Sequence, residues 1–390
     1  MKYYVGLDIS NKDTSICIVD QDNNIVKEAK VLSDPDSIHS YLRKTGFKIE
    51  EIGLETGSLS NWLYTKLKAS GWKMICMDSR YMSAILSVNV NKTDRNDARA
   101  IANAIRCKNY KAVHIKSIES ITTNCLLTAR KTLVKQKLQQ CNVIRGSLKA
   151  FGIKLPIGKK HIREAIKEAL AFDKFTVEKD KLSSNVDWSV IETLIFCCEK
   201  VEEQLEILEI KLESLAKNDP IIQRFMTHPG VGIVTATTFK AEIDDPTRFK
   251  KSRSVGAYLG MTPKQFSSGE TIKQGRVSKA GSKELRSLLH EGGVVLITRT
   301  KANSKLKSWG LKKKRKLKTQ KAGMAVGRKI AVNLHRMWID GKDFDPQMNT
   351  NEFCPEEALQ EAEKQQKAEE KLVKVLQKGK RQNKKIKKIA

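Results

Sequence analysis

Two short apolar runs and a third strand-length segment fall within the first 32 residues, and the turns between them are too short to hold a helix. Residues 3–9 (YYVGLDI), 14–19 (TSICIV) and 25–32 are separated by Ser10-Asn11-Lys12-Asp13 and by a second polar turn at 21–24. A chain that starts this way is committed to a meander of strands. A helix near 36–45 follows, then a fourth strand at 51–55 (EIGLE), an amphipathic helix over 59–70 ending at Gly71, and a fifth strand at 73–77. A meander followed by helix–strand–helix–strand predicts an α/β or α+β domain built on a mixed sheet.

The pattern then changes. From Asp94 it reads as helix almost without interruption to about Ala150, with Pro156 and Gly158 as breakers. Helix signals resume at 160–172 and again from Trp188 to Ala216. In that last stretch Ile191, Leu194, Ile195, Cys198, Val201, Leu205, Leu208, Leu212 and Leu215 recur three and four apart. This heptad-like stripe suits a coiled coil or a long bundle helix, so an intramolecular bundle and self-association both stay open. Asp219-Pro220 closes the section, and 221–345 reads as helical with Gly-rich interruptions. The expected domains are 1–155, a helical linker at 156–218, a mainly α domain at 219–345, and a basic disordered tail at 346–390. The last 13 residues of that tail hold seven Lys or Arg and no acid.

Charge narrows the function. Lys and Arg number 73 against 44 Asp and Glu, a net charge of +29. A surplus of that size repels itself and calls for a polyanionic partner, nucleic acid first and an anionic membrane surface second. No run of 18 apolar residues exists to span a bilayer, and the start MKYYVGLDIS turns polar too soon for a secretory leader. The eight cysteines form no C-x-x-C pair and no zinc-type cluster, which fits reduced, mostly buried thiols of a cytoplasmic protein.

Four carboxylates stand out. Asp8 ends the first strand (VGLDIS), and Glu55 ends the fourth (IGLETG). Asp94 and Asp97, in NKTDRNDAR, share one face of a helix. Two unit charges about 4 Å apart cost ~4 kcal/mol at an effective dielectric of about 20, so four converging acids require divalent cations. Hard oxygen donors suit Mg²⁺ or Mn²⁺, and a pair of such ions can flank a scissile phosphate. Taken singly, each acid has a plainer reading: Asp8 capping a turn, Glu55 or Asp94 capping a helix.

A second set of motifs lies in the C-terminal half. His228-Pro229-Gly230-Val231-Gly232 before a helix resembles a helix-hairpin-helix, whose Gly230 and Gly232 would let backbone N–H groups approach a phosphate. A structural turn is the alternative. Downstream come LGMTP, Ser267-Ser268-Gly269 and VSKAG. Ser268 is expected in a polar loop between two helices, where it is either a turn residue or a presented hydroxyl. Arg276, Lys279 and Arg286 follow closely and could stabilise a charged transition state. Residues 301–321 carry ten Lys or Arg and no acid, with Lys312, Lys313, Lys314, Arg315 and Lys316 consecutive. Such a face tracks phosphates. Trp309 beside it is a core anchor or a base-stacking residue.

Together GLDIS, LETG and NKTDRNDAR resemble the DEDD motif of insertion-sequence transposases of the IS-one-ten type, with KTDxxDA the most specific part. The later block, HPGVG, LGMTP, SSG and VSKAG, is similar to the C-terminal domain of the same family. The resemblance spans most of 1–340. It implies an RNase H-like fold resembling the RuvC junction resolvase, with metal-binding acids at Asp8, Glu55, Asp94 and Asp97. It places a serine nucleophile on Ser268, with Ser267 the neighbour that could be confused with it. It further implies DNA substrates, a structured bridge RNA that pairs with donor and target DNA, and a dimer or tetramer in which the two halves of a site come from different protomers. The Lys-rich stretch and the tail depart from the pattern. Two other readings stand beside this one: a metal-dependent junction nuclease using water, and a non-catalytic nucleic-acid-binding protein.

Overall fold

The first three strands form the expected meander. β1 (Tyr3–Ile9), β2 (Asp13–Val19) and β3 (Ile25–Leu32) are antiparallel neighbours. After α1 (Pro35–Lys44), β4 (Ile49–Glu55) returns beside β1 in parallel. After α2 (Ser60–Ala69), β5 (Met74–Met77) adds in parallel to β4, giving the sheet order β3-β2-β1-β4-β5. The computed structural model describes residues 1–87, 93–150, 152–155, 162–171, 188–268 and 271–347. Two compact units divide the chain, Met1–Ser117 and Ile118–Ala390.

Side chains alternate across each strand, so the sheet has two distinct faces. Val5, Leu7, Ile52 and Leu54 pack against Ile38 and Leu42 of α1 and Leu63 and Leu67 of α2. The opposite face carries Tyr4, Cys17 and Val19 under Ala98 and Ala102 of α4 (Asp94–Arg106). Beside it Met77 packs with Ile101 and Ile105 of the same helix and with Met82 of α3 (Ser79–Leu86). A mixed sheet covered on both sides in this way is compatible with an RNase H-like start.

The helix that begins at Asp94 is shorter than its sequence suggests. It stops at Arg106, Lys108 adopts a positive φ of 53°, and Ala112 forms an isolated bridge to Met77. The next helix, α5, runs from Ile118 to Ala150. Residues 107–117 therefore finish the first unit, which closes at Ser117.

In the second unit α7 (Trp188–Asn218) packs with both α5 and α6 (Ile162–Ala171). Cys141, Ile144 and Leu148 of α5 meet Ile191, Ile195 and Cys198 of α7. Lys137 pairs with Glu202 at 3.1 Å and Arg130 with Glu209 at 3.0 Å, so the two helices are antiparallel. The stripe read along α7 thus has a partner within its own chain. Pro156, Gly158 and the chain from 348 onward, which includes nearly all of the expected tail, lie outside the described residues.

The rest of the unit is mainly helical. α8 (Pro220–Met226), α9 (Ile233–Ile243), α10 (Ser254–Tyr258), α11 (Lys283–Thr298), α12 (Lys305–Lys316) and α13 (Thr319–Asp340) enclose a core of Phe225, Phe239, Leu289, Leu296, Ile330 and Leu334. One element departs from the helical expectation. β6 (Pro263–Ser268) and β7 (Thr271–Val277) form a two-stranded hairpin. Neither PKQFSS nor TIKQGRV alternates apolar with polar residues, so the period-two signal of a strand is not legible there.

The seat of α4 on the sheet is tight enough to test. A Cβ on Gly6 would overlap the Ala98 carbonyl oxygen and lie 2.5 Å from the Ala102 nitrogen, both backbone atoms that cannot rotate away. Gly6→Ala should destabilise the protein by about 1–3 kcal/mol in denaturant titrations. Gly146→Ala is the control: it lies within α5, nothing stands within 4 Å of its added Cβ, and a gain of up to about 1 kcal/mol is expected. An unchanged Gly6→Ala protein would contradict the packing described.

Candidate active site

Asp8 and Glu55 occupy the carboxyl ends of neighbouring parallel strands. Leu7 of β1 pairs with Leu54 of β4, which places Asp8 and Glu55 next to each other in register. Both share a face with Gly6 and Gly53, the glycines on which α4 rests. Arg95 and Arg99 meet Glu28 at the level of Gly6, while Arg106 at the far end of α4 reaches the Gln21 carbonyl beside the start of β1, so α4 descends toward the start of the strands. Its first turn, with Asp94 and Asp97, therefore lies toward the Asp8 end. Asp8, Glu55 and Asp97 are half-buried and Asp94 is exposed.

Among the plainer readings, those that make Glu55 and Asp94 helix caps do not hold. The β1–β2 turn is closed by Ser10, whose hydroxyl donates to the Asp13 carbonyl at 2.6 Å. α2 has Leu59 at its N-cap and no side-chain cap. α4 is capped by Thr93, whose Oγ1 accepts from the Asn96 N–H at 3.2 Å, and Asp94 is its first helical residue. Acids in a first turn also suit the positive end of the helix dipole. Carboxylate oxygens have the right hardness for a divalent cation, and the topology sets all four on one face of the sheet. Even so, among the described residues no three Asp, Glu, His or Cys side chains stand close enough to hold one ion. Gathering them around a cation takes at least side-chain rotation.

A clamp missed in the sequence fixes this helix from behind. Glu28 of β3 accepts from Arg95 Nε at 2.6 Å, and from Arg99 Nε at 2.5 Å and Nη2 at 3.0 Å. The hydrogen bonds from Arg99, then those from Arg95, hold the Glu28 carboxyl down at about 2. At the other end of α4, Arg106 donates to the Gln21 carbonyl at 3.0 Å. Arg95 and Arg99 interleave with Asp94 and Asp97 in TDRNDAR: one flank of the helix carries acids and the other anchors it. The i, i+4 spacing of the two arginines and the lone acid of IVKEAKVL were the available signals.

In the second unit Ser268 is the last residue of β6, not part of a loop between helices. It pairs with Thr271 across the turn, and Ser267 pairs with Ile272. All six residues of β6 are exposed. Successive side chains of a strand point to opposite faces, so Ser267 and Ser268 present their hydroxyls on different sides. Gly269 and Glu270 lie outside the described residues.

The remaining sequence candidates divide. Arg276 and Lys279 are exposed. Arg286 is only 8% exposed, and its Nη1 donates to the carbonyls of Leu259 at 3.0 Å and Gly281 at 3.1 Å. That guanidinium braces the loop beneath the hairpin instead of meeting solvent. Gly230 has φ 84°, and a Cβ there would stand 2.5 Å from the Gly292 carbonyl oxygen, so its lack of a side chain serves helix packing. His228 beneath it is fully buried, pushed down to about 4 by burial, and bonded to the Pro229 carbonyl and to Asn333. Gly232 is different: it caps α9 with open space around it and no side-chain cap. Lys312, Lys314, Arg315 and Lys316 are exposed on α12. Lys313 and Lys329 lie over the Trp309 ring at 5.4 and 4.2 Å, which makes that tryptophan an anchor rather than a base platform.

Comparison with known proteins matches these two regions separately. Residues 5–153 match the DEDD transposase model of the IS110 type, described as transposase, and 222–308 match the model described as transposase IS116/IS110/IS902 family. The chain is 29% identical to the transposase for insertion sequence element IS1111A of Coxiella burnetii, over 79% of this chain and 81% of that one. It is 27% identical to a putative transposase of Sinorhizobium fredii, over 66% of this chain and 65% of that one. It is 28% identical to the transposase for IS1328 of Yersinia enterocolitica, over 57% of this chain and 64% of that one.

The clamp has a pH signature. The Glu28 carboxyl lies at about 2, below its ordinary 4.5, so its stabilising contribution is complete above pH 4.5 and fades as the pH falls toward 2. Glu28→Gln should lower stability by about 1–2 kcal/mol at neutral pH and flatten the acid limb of the stability profile below 4.5. Superimposable denaturation profiles for the two proteins would refute the clamp.

Proposed function

Because the chain belongs to the IS110-type insertion-sequence transposases and is a DNA transposase, we propose that it cuts and rejoins DNA through a transient link between Ser268 and a strand. The observation that carries this reading is the hairpin. It lifts Ser268 into solvent at a strand end, in a unit whose exposed basic residues can hold phosphates.

In the proposed step Ser268 Oγ attacks the phosphorus of the scissile diester and its hydroxyl proton leaves to solvent. The bond from phosphorus to one bridging oxygen of the strand breaks, and that oxygen departs as a hydroxyl. Attack by a hydroxyl of the incoming strand then releases the serine and restores a diester. Arg276 and Lys279 supply positive charge beside the transferring phosphate. Asp8, Glu55, Asp94 and Asp97 would hold Mg²⁺ or Mn²⁺, which when bound offsets the charge on that phosphate and on the leaving oxygen. Exposed Lys312, Lys314, Arg315 and Lys316, with the α9 N-terminus at Gly232, hold the backbone without reading sequence. A bridge RNA of the element supplies sequence choice by base pairing. The acids and the serine act across protomers of a dimer or tetramer.

Labelled donor DNA incubated with Mg²⁺ and the element's RNA tests this on a denaturing gel. The unaltered protein should carry a covalently attached strand, and Ser268→Ala should lose every adduct while still binding DNA. Adducts that persist in Ser268→Ala, or free strand ends with no adduct in the unaltered protein, would refute the serine. The second outcome would favour hydrolysis by water.

A further inference from the structure

One side chain on the hairpin has no part in the chemistry above. Phe266 is 61% exposed, in a protein with only 6% aromatic residues. A single exposed apolar residue is ordinary. This one has a particular setting. It stands two residues before Ser268, so ring and hydroxyl share one face of the strand, roughly 6.6 Å apart along it. Lys273 is its direct cross-strand partner. Diagonally across lies Gly275, and a Cβ there would come within 3.1 Å of Phe266 Cε2 and 3.5 Å of Lys264 Cβ. The ring thus rests on the glycine, and its far side is open. Lys264 and Lys273, both exposed, flank it with positive charge.

A flat aromatic face bordered by cations fits an unpaired nucleobase, whose ring stacks while its phosphates meet the lysines. We propose that Phe266 stacks on an unpaired base of the DNA strand beside the scissile phosphate and thereby sets that phosphate against Ser268. The spacing between ring and hydroxyl matches the reach of one nucleotide. This rests on the serine reading for its meaning, but the stack itself can be measured without any chemistry. Covering Gly275 is a role that a bulky aliphatic side chain would also fill, and only a ring can stack.

The test is fluorescence anisotropy with the full chain at fixed salt, using labelled oligo-dT and oligo-rU of roughly 20 nucleotides and a duplex of equal length. Phe266→Ala and Phe266→Leu should bind the DNA single strand roughly 5- to 150-fold more weakly, the range that loss of one base–aromatic stack produces, while Phe266→Trp retains binding. Duplex affinity should not change. The stack is read from binding alone, so an unaltered chain that forms no adduct with donor DNA would sink the serine reading and leave the stack standing. Full single-strand binding by Phe266→Leu would overturn the proposal, as would an equal loss on duplex. A dependence on Phe266 seen only with the RNA probe would overturn its assignment to the DNA strand.

Discussion

The first unit depends on one close contact, the backbone of α4 laid directly on β1 at Gly6. No side chain separates helix from strand there, since the Ala98 carbonyl and Ala102 nitrogen fill the space of a Cβ. Everything chemical in the unit follows from this seat. It fixes which end of the sheet the first turn of α4 reaches, and so sets Asp94 and Asp97 toward the strand ends that carry Asp8 and Glu55. Apolar packing alone would let the helix slide. Glu28 with Arg95 and Arg99 at one end, and Arg106 with the Gln21 carbonyl at the other, pin it at two points.

The second unit solves a different problem. In the proposed reaction a serine hydroxyl must meet a bulky polyanion with little protein around it, and a two-stranded hairpin with every β6 residue exposed suits that need. Such a ribbon is marginal alone. Its base is held by Arg286, which is buried and spans the Leu259 and Gly281 carbonyls, and by the Ser278 N–H, which donates to the Thr262 carbonyl at 2.8 Å. Basic residues nearby divide: buried Arg286 ties the backbone, and exposed Arg276 and Lys279 meet phosphate in the proposed reaction.

Much of the first unit could be read in advance because its signals are local. Three strand-length segments with short turns specify the meander, and strand-end acids are visible as VGLD and IGLE. Thr93 before Asp94 marks a helix start. What escaped depended on distant partners. Nothing local says that Glu28 meets Arg99, or that Arg286 is buried while Arg276 is not. The break at 107–117 holds no Gly or Pro to announce it, and Lys108 at positive φ ends the helix. The hairpin was missed because PKQFSS carries a single large apolar residue, Phe266, so alternation carries little hydrophobic contrast. The stripe on α7 announced a packing face but could not say whose surface it met.

In the proposed reaction four carboxylates, Asp8, Glu55, Asp94 and Asp97, share divalent cations at one end of one sheet. Calorimetric titration of the full chain with Mn²⁺ examines that directly, with Asp8→Asn and Asp97→Asn as comparisons. Saturable Mn²⁺ binding that disappears in both variants, with the fold intact by circular dichroism, is the predicted result. Equal Mn²⁺ binding in all three proteins, or none in any of them, would contradict it.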